Sequence, residues 1–238
     1  MSPSLPLPDP RCPCRSGLPL GQVIRTDVDR CRYLAEVDRP GSGAVSSLAR
    51  ALLLYPGLRG VIAYRLAHAA RTATRLPGPL RAGLAVATVL VQRLALASSG
   101  VDLDAGAHIG PGLFVNHAAG ATLGAVDAGA WLTLSHNVTL GQGTGAGPGS
   151  RRCPTLGDRV WVGVGAVVAG DVTVGEDAVI GANAVVVRDV PARCTVGGVP
   201  ARLLSRAGSF HSVLYRGMET DPSRAESLRS VEQADVAG

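Results

Sequence analysis

The sequence predicts a mainly β protein in which a parallel β-helix of hexapeptide repeats follows an α-helical N-terminal region. The first observation is an aliphatic residue at every sixth position from Leu156 onward: Leu156, Val162, Val168, Val174, Ile180 and Val186. A period of six fits neither the 3.6-residue turn of an α-helix nor a simple alternating strand, so each unit is one short strand and one corner. The second is a composition with only 3% aromatic residues and 31 glycines, which favours repetitive packing of small side chains.

A second series of small apolar residues supports the same repeat. Its members are Val160, Ala166, Val172, Ala178, Ala184 and Val190. Glycine follows several members of the first series, at Gly157, Gly163, Gly175 and Gly181, which suits a sharp turn after each strand. The register recurs upstream at Leu103, Ile109, Val115, Leu134 and Leu140. The spacing from Leu123 to Leu134 is eleven residues instead of twelve, so we expect one irregular corner there.

The chain divides into four predicted segments. Residues 1–22 are proline-rich and expected to be flexible, and residues 23–99 are α-helical, with Pro56 opening a helix. Residues 100–204 form the β-helix. Residues 205–238 are polar and without periodicity, which predicts a flexible C-terminal tail.

Charge and cysteine usage exclude several classes of function. The net charge of +5 comes from arginines scattered along the chain. This distribution differs from the clustered basic surface of a nucleic-acid-binding protein, so an anionic small molecule is the expected ligand. The five cysteines, Cys12, Cys14, Cys31, Cys153 and Cys194, contain no C-x-x-C pair, so neither a zinc site nor a disulfide framework is indicated, and a reducing cytoplasm fits.

No membrane segment is predicted. The N-terminus lacks the continuous apolar core of a signal peptide. The most apolar stretch, "LRAGLAVATVLVQRLALASSG", is interrupted by Arg81, Gln92 and Arg93, so we expect a buried or interfacial helix instead of a membrane span.

One histidine raises the question of chemistry. In "PGLFVNHAAG", His117 follows an aliphatic run and precedes small residues. Histidine is the side chain that can exchange a proton near neutral pH, although a single histidine among apolar residues is more often structural. The residues around it therefore decide between the two roles.

The surrounding motifs resemble the catalytic half of the serine O-acetyltransferase family. The similar runs cover about residues 50–204 and are "VDLDAGAHIGPGLFVNHAAGATLG", "HNVTLGQGTG", "CPTLGDRVWVGVGAVVAGDVTVGEDAVIGANAVVVRDVP" and "GGVPARLL". The resemblance implies a left-handed parallel β-helix and assembly as a trimer or a dimer of trimers. It also implies acetyl transfer from acetyl-CoA to the serine hydroxyl, the first step of cysteine biosynthesis from serine.

The resemblance assigns roles to particular residues. His117 falls on the family's catalytic general base, and Asp102 on the aspartate that pairs with it. A carboxylate in that place orients the imidazole ring and stabilises the imidazolium. The glycine-rich loop of residues 141–152 matches an excursion near the acetyl-CoA site, and the segments resembling the CoA groove between subunits contain Gly143, Gly165, Ala182 and Arg202.

The departures from the family pattern lie on the acceptor side. Asn116 stands where the family has an aspartate that contacts the serine amino group. Arg152–Cys153 stands where the family has Arg-His, so the resemblance keeps the arginine that binds the serine carboxylate and loses the adjacent histidine. Asp38 in "VDRPG" is the nearest candidate for a further amino-group ligand. L-serine is the leading acceptor. Another hydroxyl acceptor, such as a sugar or a specialised metabolite, and a non-catalytic trimeric scaffold stay open as alternatives.

The resemblance also bears on partners, and the spacing of the histidines bears on metal binding. The short N-terminal helical region favours a homotrimer over a hexamer, and the terminal "DVAG" replaces the isoleucine with which family members dock into cysteine synthase, so that complex is not predicted. Zinc carbonic anhydrases of this fold need three converging histidines, two of them close in sequence. The five histidines, His68, His108, His117, His136 and His211, offer no such pair, so no metal is expected.

Overall fold

The computed structural model describes residues 18–38, 49, 51–53, 55–72, 77–143 and 153–236. Its helices are α1 (Leu20–Asp38), α2 (Gly57–Thr72), α3 (Gly78–Ser99) and α4 (Pro222–Val236), with a helical turn at residues 51–53. The strands are β1 (Val101–Leu103), β2 (His108–Ile109), β3 (Phe114–Val115), β4 (Ala121–Leu123), β5 (Asp127–Ala128), β6 (Thr133–Leu134), β7 (Thr139–Gly141), β8 (Thr155–Leu156), β9 (Trp161–Val162), β10 (Val167–Ala169), β11 (Thr173–Val174), β12 (Val179–Ile180), β13 (Val185–Val186), β14 (Thr195–Gly197) and β15 (Arg202–Ser205).

The strands form three sheets, which are the three faces of a solenoid. Their orders are β1-β4-β7-β10-β13, β11-β8-β5-β2 and β15-β14-β12-β9-β6-β3, and all pairs are parallel except β14 with antiparallel β15. The predicted hexapeptide series points inward, and each of its six members from Leu156 to Val186 is at most 1% exposed. The predicted parallel β-solenoid after an α-helical region is therefore confirmed.

Two corners between β1 and β6 depart from the six-residue repeat. Strand pairing places Leu103 beside Leu123 and Ile109 beside Ala128, so the predicted irregular corner is the five-residue step from Leu123 to Ala128. The step from Val115 to Leu123 spans eight residues, two more than the repeat. We call residues 116–120 the long corner. His117 lies in this corner and is exposed.

A buried ion pair ties α1 and α2 to the first coil. The Asp27 carboxylate, which is 0% exposed, accepts hydrogen bonds from Nε of Arg65 at 2.8 Å and from the backbone N–H groups of Gly112 and Leu113 at 2.7 and 2.8 Å. Arg65 also donates to the carbonyl oxygen of Gly110 at 2.7 Å. These bonds fix α1 beside the strand that leads into the long corner.

The start of α2 lies directly against β3. A Cβ atom on Gly57 would stand 2.5 Å from the carbonyl oxygen of Val115 and 2.8 Å from its Cβ, so no side chain fits there. We expect Gly57→Ala to lower the free energy of unfolding by about 1–3 kcal/mol, because the helix or the strand must shift. Urea unfolding at a fixed protein concentration measures this.

Gly83→Ala is the matched control for Gly57→Ala. Gly83 lies on the exposed side of α3 with nothing within 4 Å of an added Cβ. Alanine is the better helix former, so we expect unchanged or slightly higher stability, by at most about 1 kcal/mol. If Gly57→Ala is as stable as Gly83→Ala, the close contact between α2 and β3 is wrong.

Helix α3 packs against α2 and donates a hydrogen bond from Nε2 of Gln92 to the carbonyl oxygen of Leu103 in β1, but most of its surface is uncovered in the single chain. Ala95 and Ser99 are its buried residues, whereas its exposed large apolar residues are Leu80, Val86, Val89, Leu90, Val91 and Leu94. Among the described residues it is the one helix that is long and apolar enough to cross a membrane by length and composition. Helices that pack against other protein can share this composition. The sequence predicts a buried or interfacial helix, and within one chain α3 is not buried.

The structure differs from the expectation of a flexible C-terminal tail. Phe210, Val213 and Tyr215 are buried against the solenoid, and the Tyr215 ring stacks on Trp131 with centroids 4.1 Å apart. Oγ of Ser209 donates to the carbonyl oxygen of Arg159 at 2.6 Å. Side chains without helical or strand periodicity thus find individual partners on the solenoid. At the other terminus residues 1–17 lie outside the described residues, and α1 begins three residues before the predicted boundary.

Candidate active site

A pocket of about 280 Å³ opens beside the long corner. Its lining residues come from helix α1, the start of the α2 region, the strands β3, β6 and β9, the long corner and the C-terminal segment. They are Arg30, Leu34, Asp38, Tyr55, Phe114, Asn116, His117, Thr133, Trp161, Ser212 and Leu214. The structure therefore brings three predicted site residues together, namely Asp38, Asn116 and His117. They are up to 79 positions apart in the sequence.

His117 is available to a ligand. Its side chain is exposed, and no hydrogen bond from the described part of the chain engages its ring. Its backbone φ of 51° is left-handed, but Asn137, Asp177 and Asn183 at other corners have φ of 55°, so this conformation belongs to the solenoid corner. An exposed imidazole at the wall of a pocket can take a proton from a bound hydroxyl.

His136 lies next to His117 on the following coil. The two ring centroids are 6.2 Å apart and the ring planes are nearly perpendicular, at 83°. Nδ1 of His136 is buried and has no hydrogen-bond partner among the described residues. No sequence motif assigns a role to His136. Its position follows from the pairing of β3 with β6, which sets Val115 beside Leu134.

Asp102 does not contact His117 in the single chain. It is exposed on β1 and lines a different pocket, of about 260 Å³, with Gln92 and Arg93 of α3. No ion pair within 4.0 Å joins these two described residues. Both nevertheless flank the same edge of the solenoid, since a Cβ on Gly100 would stand 3.0 Å from the Cα of Ala119. The pairing of Asp102 with His117 stays a prediction.

Asp38 is held in place at the mouth of the pocket. The Tyr55 hydroxyl donates to Oδ2 of Asp38 at 2.6 Å, and the Tyr55 ring packs edge-on against Phe114 with centroids 5.3 Å apart. Asp38 is exposed at the end of α1. A carboxylate in this position attracts a cationic group of a ligand.

Arg30 is a pocket residue that sequence reasoning missed. It is only 2% exposed and donates to the carbonyl oxygens of Gly112, Leu132 and Leu214 and to Oγ1 of Thr133. Burial lowers the pKa of its guanidinium to about 10, which leaves it charged at neutral pH. The available signal was the four-residue spacing of Arg30, Leu34 and Asp38, which places all three on one face of α1.

The residues expected near acetyl-CoA lie along or beyond the edge that carries the long corner. Gly165 and Ala182 occupy corresponding corners of later coils, between β9 and β10 and between β12 and β13. A Cβ on Gly143 would stand 2.9 Å from the Cα of Gly170. Arg202 is exposed and lines a separate pocket of about 270 Å³.

Of the remaining predicted acceptor residues, the structure describes Cys153, which does not line the His117 pocket. Cys153 is partly buried and packs against the solenoid core. Arg152 and residues 144–151 lie outside the described residues. Across the described ranges, no group of three or more His, Cys, Asp or Glu side chains could hold a metal ion.

Comparisons with known proteins agree on one family. The family model described as bacterial transferase hexapeptide (six repeats) matches residues 153–188. The serine acetyltransferase of Helicobacter pylori strain J99 is 44% identical over 156 residues, which cover 65% of this chain and 85% of that protein.

Two solved structures are similar as well. The Neisseria gonorrhoeae serine acetyltransferase in complex with serine has a TM-score of 0.62 and 28% identity, covering 78% of this chain and 69% of that one. The Brucella abortus strain S19 serine acetyltransferase in complex with coenzyme A has a TM-score of 0.63 and 28% identity, covering 79% of this chain and 68% of that one. The solenoid, the pocket beside His117 and these similarities together show that the chain belongs to the serine acetyltransferase family.

Proposed function

We propose that this protein is a serine O-acetyltransferase that transfers the acetyl group of acetyl-CoA to the hydroxyl of L-serine and so forms O-acetylserine for cysteine biosynthesis. The observation that carries the proposal is the pocket in which His117 meets Asp38 and Asn116. Membership of the serine acetyltransferase family, whose structures include complexes with serine and with coenzyme A, supports it.

His117 acts as the general base in this proposal. Its neutral imidazole takes the serine hydroxyl proton while the oxygen attacks the thioester carbonyl of acetyl-CoA. The tetrahedral intermediate then breaks its carbon–sulfur bond, and the imidazolium returns the proton to the leaving CoA sulfur. Asp102 orients the ring and stabilises the imidazolium. The products are O-acetylserine and CoA, and His117 is again neutral.

Acceptor recognition rests on the polar groups around the pocket. Asp38 is placed to attract the serine ammonium, and Asn116 offers an amide oxygen as a further acceptor without adding charge. By resemblance, Arg152 and Cys153 come from the loop end beside the acceptor. Asn116 also keeps the alternative of a different hydroxyl acceptor open, because it lacks the carboxylate of the family pattern.

Acetyl-CoA is proposed to lie along the solenoid edge that runs from His117 past Gly165 and Ala182, with Gly143 allowing close approach and Arg202 near the CoA phosphates. This groove needs a second copy of the chain as its other wall. We propose a homotrimer, which the exposed apolar residues of α3 support. A cytoplasmic location fits the thiols of Cys31 and Cys194, which are buried and form no disulfide bond among the described residues.

Release of CoA thiol from acetyl-CoA tests the function. Purified protein is incubated with acetyl-CoA and L-serine, L-threonine, a hexose or no acceptor, and the product is identified by mass spectrometry. We expect serine-dependent release together with O-acetylserine. Release with another acceptor alone would overturn the serine assignment, and no release with any acceptor would favour the scaffold alternative.

A further inference from the structure

The buried guanidinium of Arg30 has no carboxylate partner within the described chain. Its four hydrogen bonds all go to neutral oxygens, three carbonyls and one hydroxyl. The nearby carboxylate of Asp27 is already engaged by Arg65 and two backbone N–H groups. A buried charge is costly unless an opposite charge balances it.

One N–H donor of Arg30 has no acceptor in the part of the chain that the structure describes. The guanidinium carries five N–H groups. Nε uses one, Nη1 donates to Gly112 and Leu132, and Nη2 donates once, to Thr133. The second N–H of Nη2 therefore has no partner among the described residues.

Arg30 supplies the positive end of a polar pocket. It lines the same pocket as His117, and because it is almost fully buried it lies deep in the wall. Asp38, the carboxylate that lines this pocket, is exposed at its mouth. Leu34, on the α1 face between them, is uncharged. The pocket thus has the Arg30 guanidinium in its buried wall, the Asp38 carboxylate at its mouth and the His117 imidazole among its other lining groups.

We propose that Arg30 binds the α-carboxylate of the amino-acid acceptor and so selects acceptors that carry one. The inference rests on the proposed function. An incoming carboxylate accepts a hydrogen bond from the second N–H of Nη2 and balances the buried charge, while the ammonium faces Asp38 and the hydroxyl faces His117. A charge-assisted hydrogen bond in a desolvated site is stronger than a neutral one. The family resemblance gives Arg152 as a ligand of the serine carboxylate, and Arg30 would be a second one, which lines the same pocket as His117.

L-serinamide is the probe, because it keeps the hydroxyl and the ammonium and replaces the carboxylate by a neutral amide. We expect the wild type to prefer L-serine over L-serinamide in kcat/KM. In Arg30→Gln the ratio of the two values is expected to fall by about tenfold or more, which is the effect of losing one hydrogen bond to a charged group. If kcat/KM changes by the same factor for both acceptors, so that their ratio stays at the wild-type value, the proposal is overturned.

A second variant avoids removing the hydrogen bonds that Arg30 makes to the fold. Leu34→Asp places a carboxylate one helical turn from Arg30 on the same face of α1, where it neutralises the guanidinium. Leu34→Asn is the matched uncharged control. We expect Leu34→Asp, relative to Leu34→Asn, to lower the ratio of serine to serinamide activity about tenfold.

The outcomes distinguish a failure of the Arg30 proposal from a failure of the proposed acetyltransferase function. If Leu34→Asp and Leu34→Asn have the same acceptor ratio, the carboxylate role of Arg30 is wrong. If the wild type acetylates serine with no preference over serinamide, the role of Arg30 again fails while the proposed function stands. If the wild type acetylates neither compound, the proposed function fails and this inference fails with it.

Discussion

Replacing His117 by alanine is expected to lower kcat for acetyl transfer by about 10²- to 10⁴-fold, the usual contribution of a general base. A serine hydroxyl is a poor nucleophile at neutral pH, and His117 is the histidine that lines the pocket with Asp38 and Asn116. Its side chain is exposed, so its removal leaves the solenoid core intact. Initial rates of CoA release at saturating L-serine and acetyl-CoA measure the effect.

His211→Ala is the control for this experiment. His211 is exposed in the C-terminal segment and does not line the pocket, so we expect wild-type rates. Circular dichroism and the thermal midpoint of His117→Ala should equal those of the wild type. A His117→Ala protein that keeps the wild-type rate would contradict the base mechanism, because no other histidine lines the pocket among the described residues.

The repeat made most of the solenoid predictable, because each inward position depends only on local spacing. Leu156, Val162 and Val168 recur every six residues and are all 0% exposed. The irregular step after Leu123 was also predictable, because the spacing from Leu123 to Leu134 is one residue shorter than two repeats. The long corner was equally accessible, because Val115 and Leu123 are eight residues apart instead of six.

Contacts that depend on tertiary packing could not be read in the same way. Arg30 reaches its partners Gly112, Leu132 and Leu214 across 82 to 184 residues, and no local pattern marks such contacts. The packing of Tyr215 on Trp131 is of the same kind, which is why a polar C-terminal segment was expected to be flexible. The sequence gives the spacing of Asp102 from His117, but it does not give the direction of an exposed side chain on β1, so it could not show whether the two side chains meet within one chain.

Removing the Asp27 carboxylate is expected to have the largest effect on stability. Asp27→Ala leaves Arg65 buried at 4% exposure without its anion, and it leaves the N–H groups of Gly112 and Leu113 without their acceptor. Breaking a buried ion pair from one side costs about 3–5 kcal/mol in the free energy of unfolding. Urea unfolding at a fixed protein concentration measures this, because the stability of an oligomer depends on concentration.

Two further variants determine whether the Asp27 effect comes from the buried charge. Asp29→Ala removes an exposed carboxylate on the same helix, with ion pairs of 3.7 Å to Arg25 and to Arg32, and surface pairs contribute at most about 1 kcal/mol. Asp27→Leu combined with Arg65→Met removes both buried charges, so we expect the double variant to be more stable than Asp27→Ala. If the double variant is the less stable of the two, the unpaired Arg65 charge is not the cause. If it is more stable, Asp27 serves chiefly to neutralise Arg65 and to fix α1, the helix that brings Arg30 and Asp38 to the pocket.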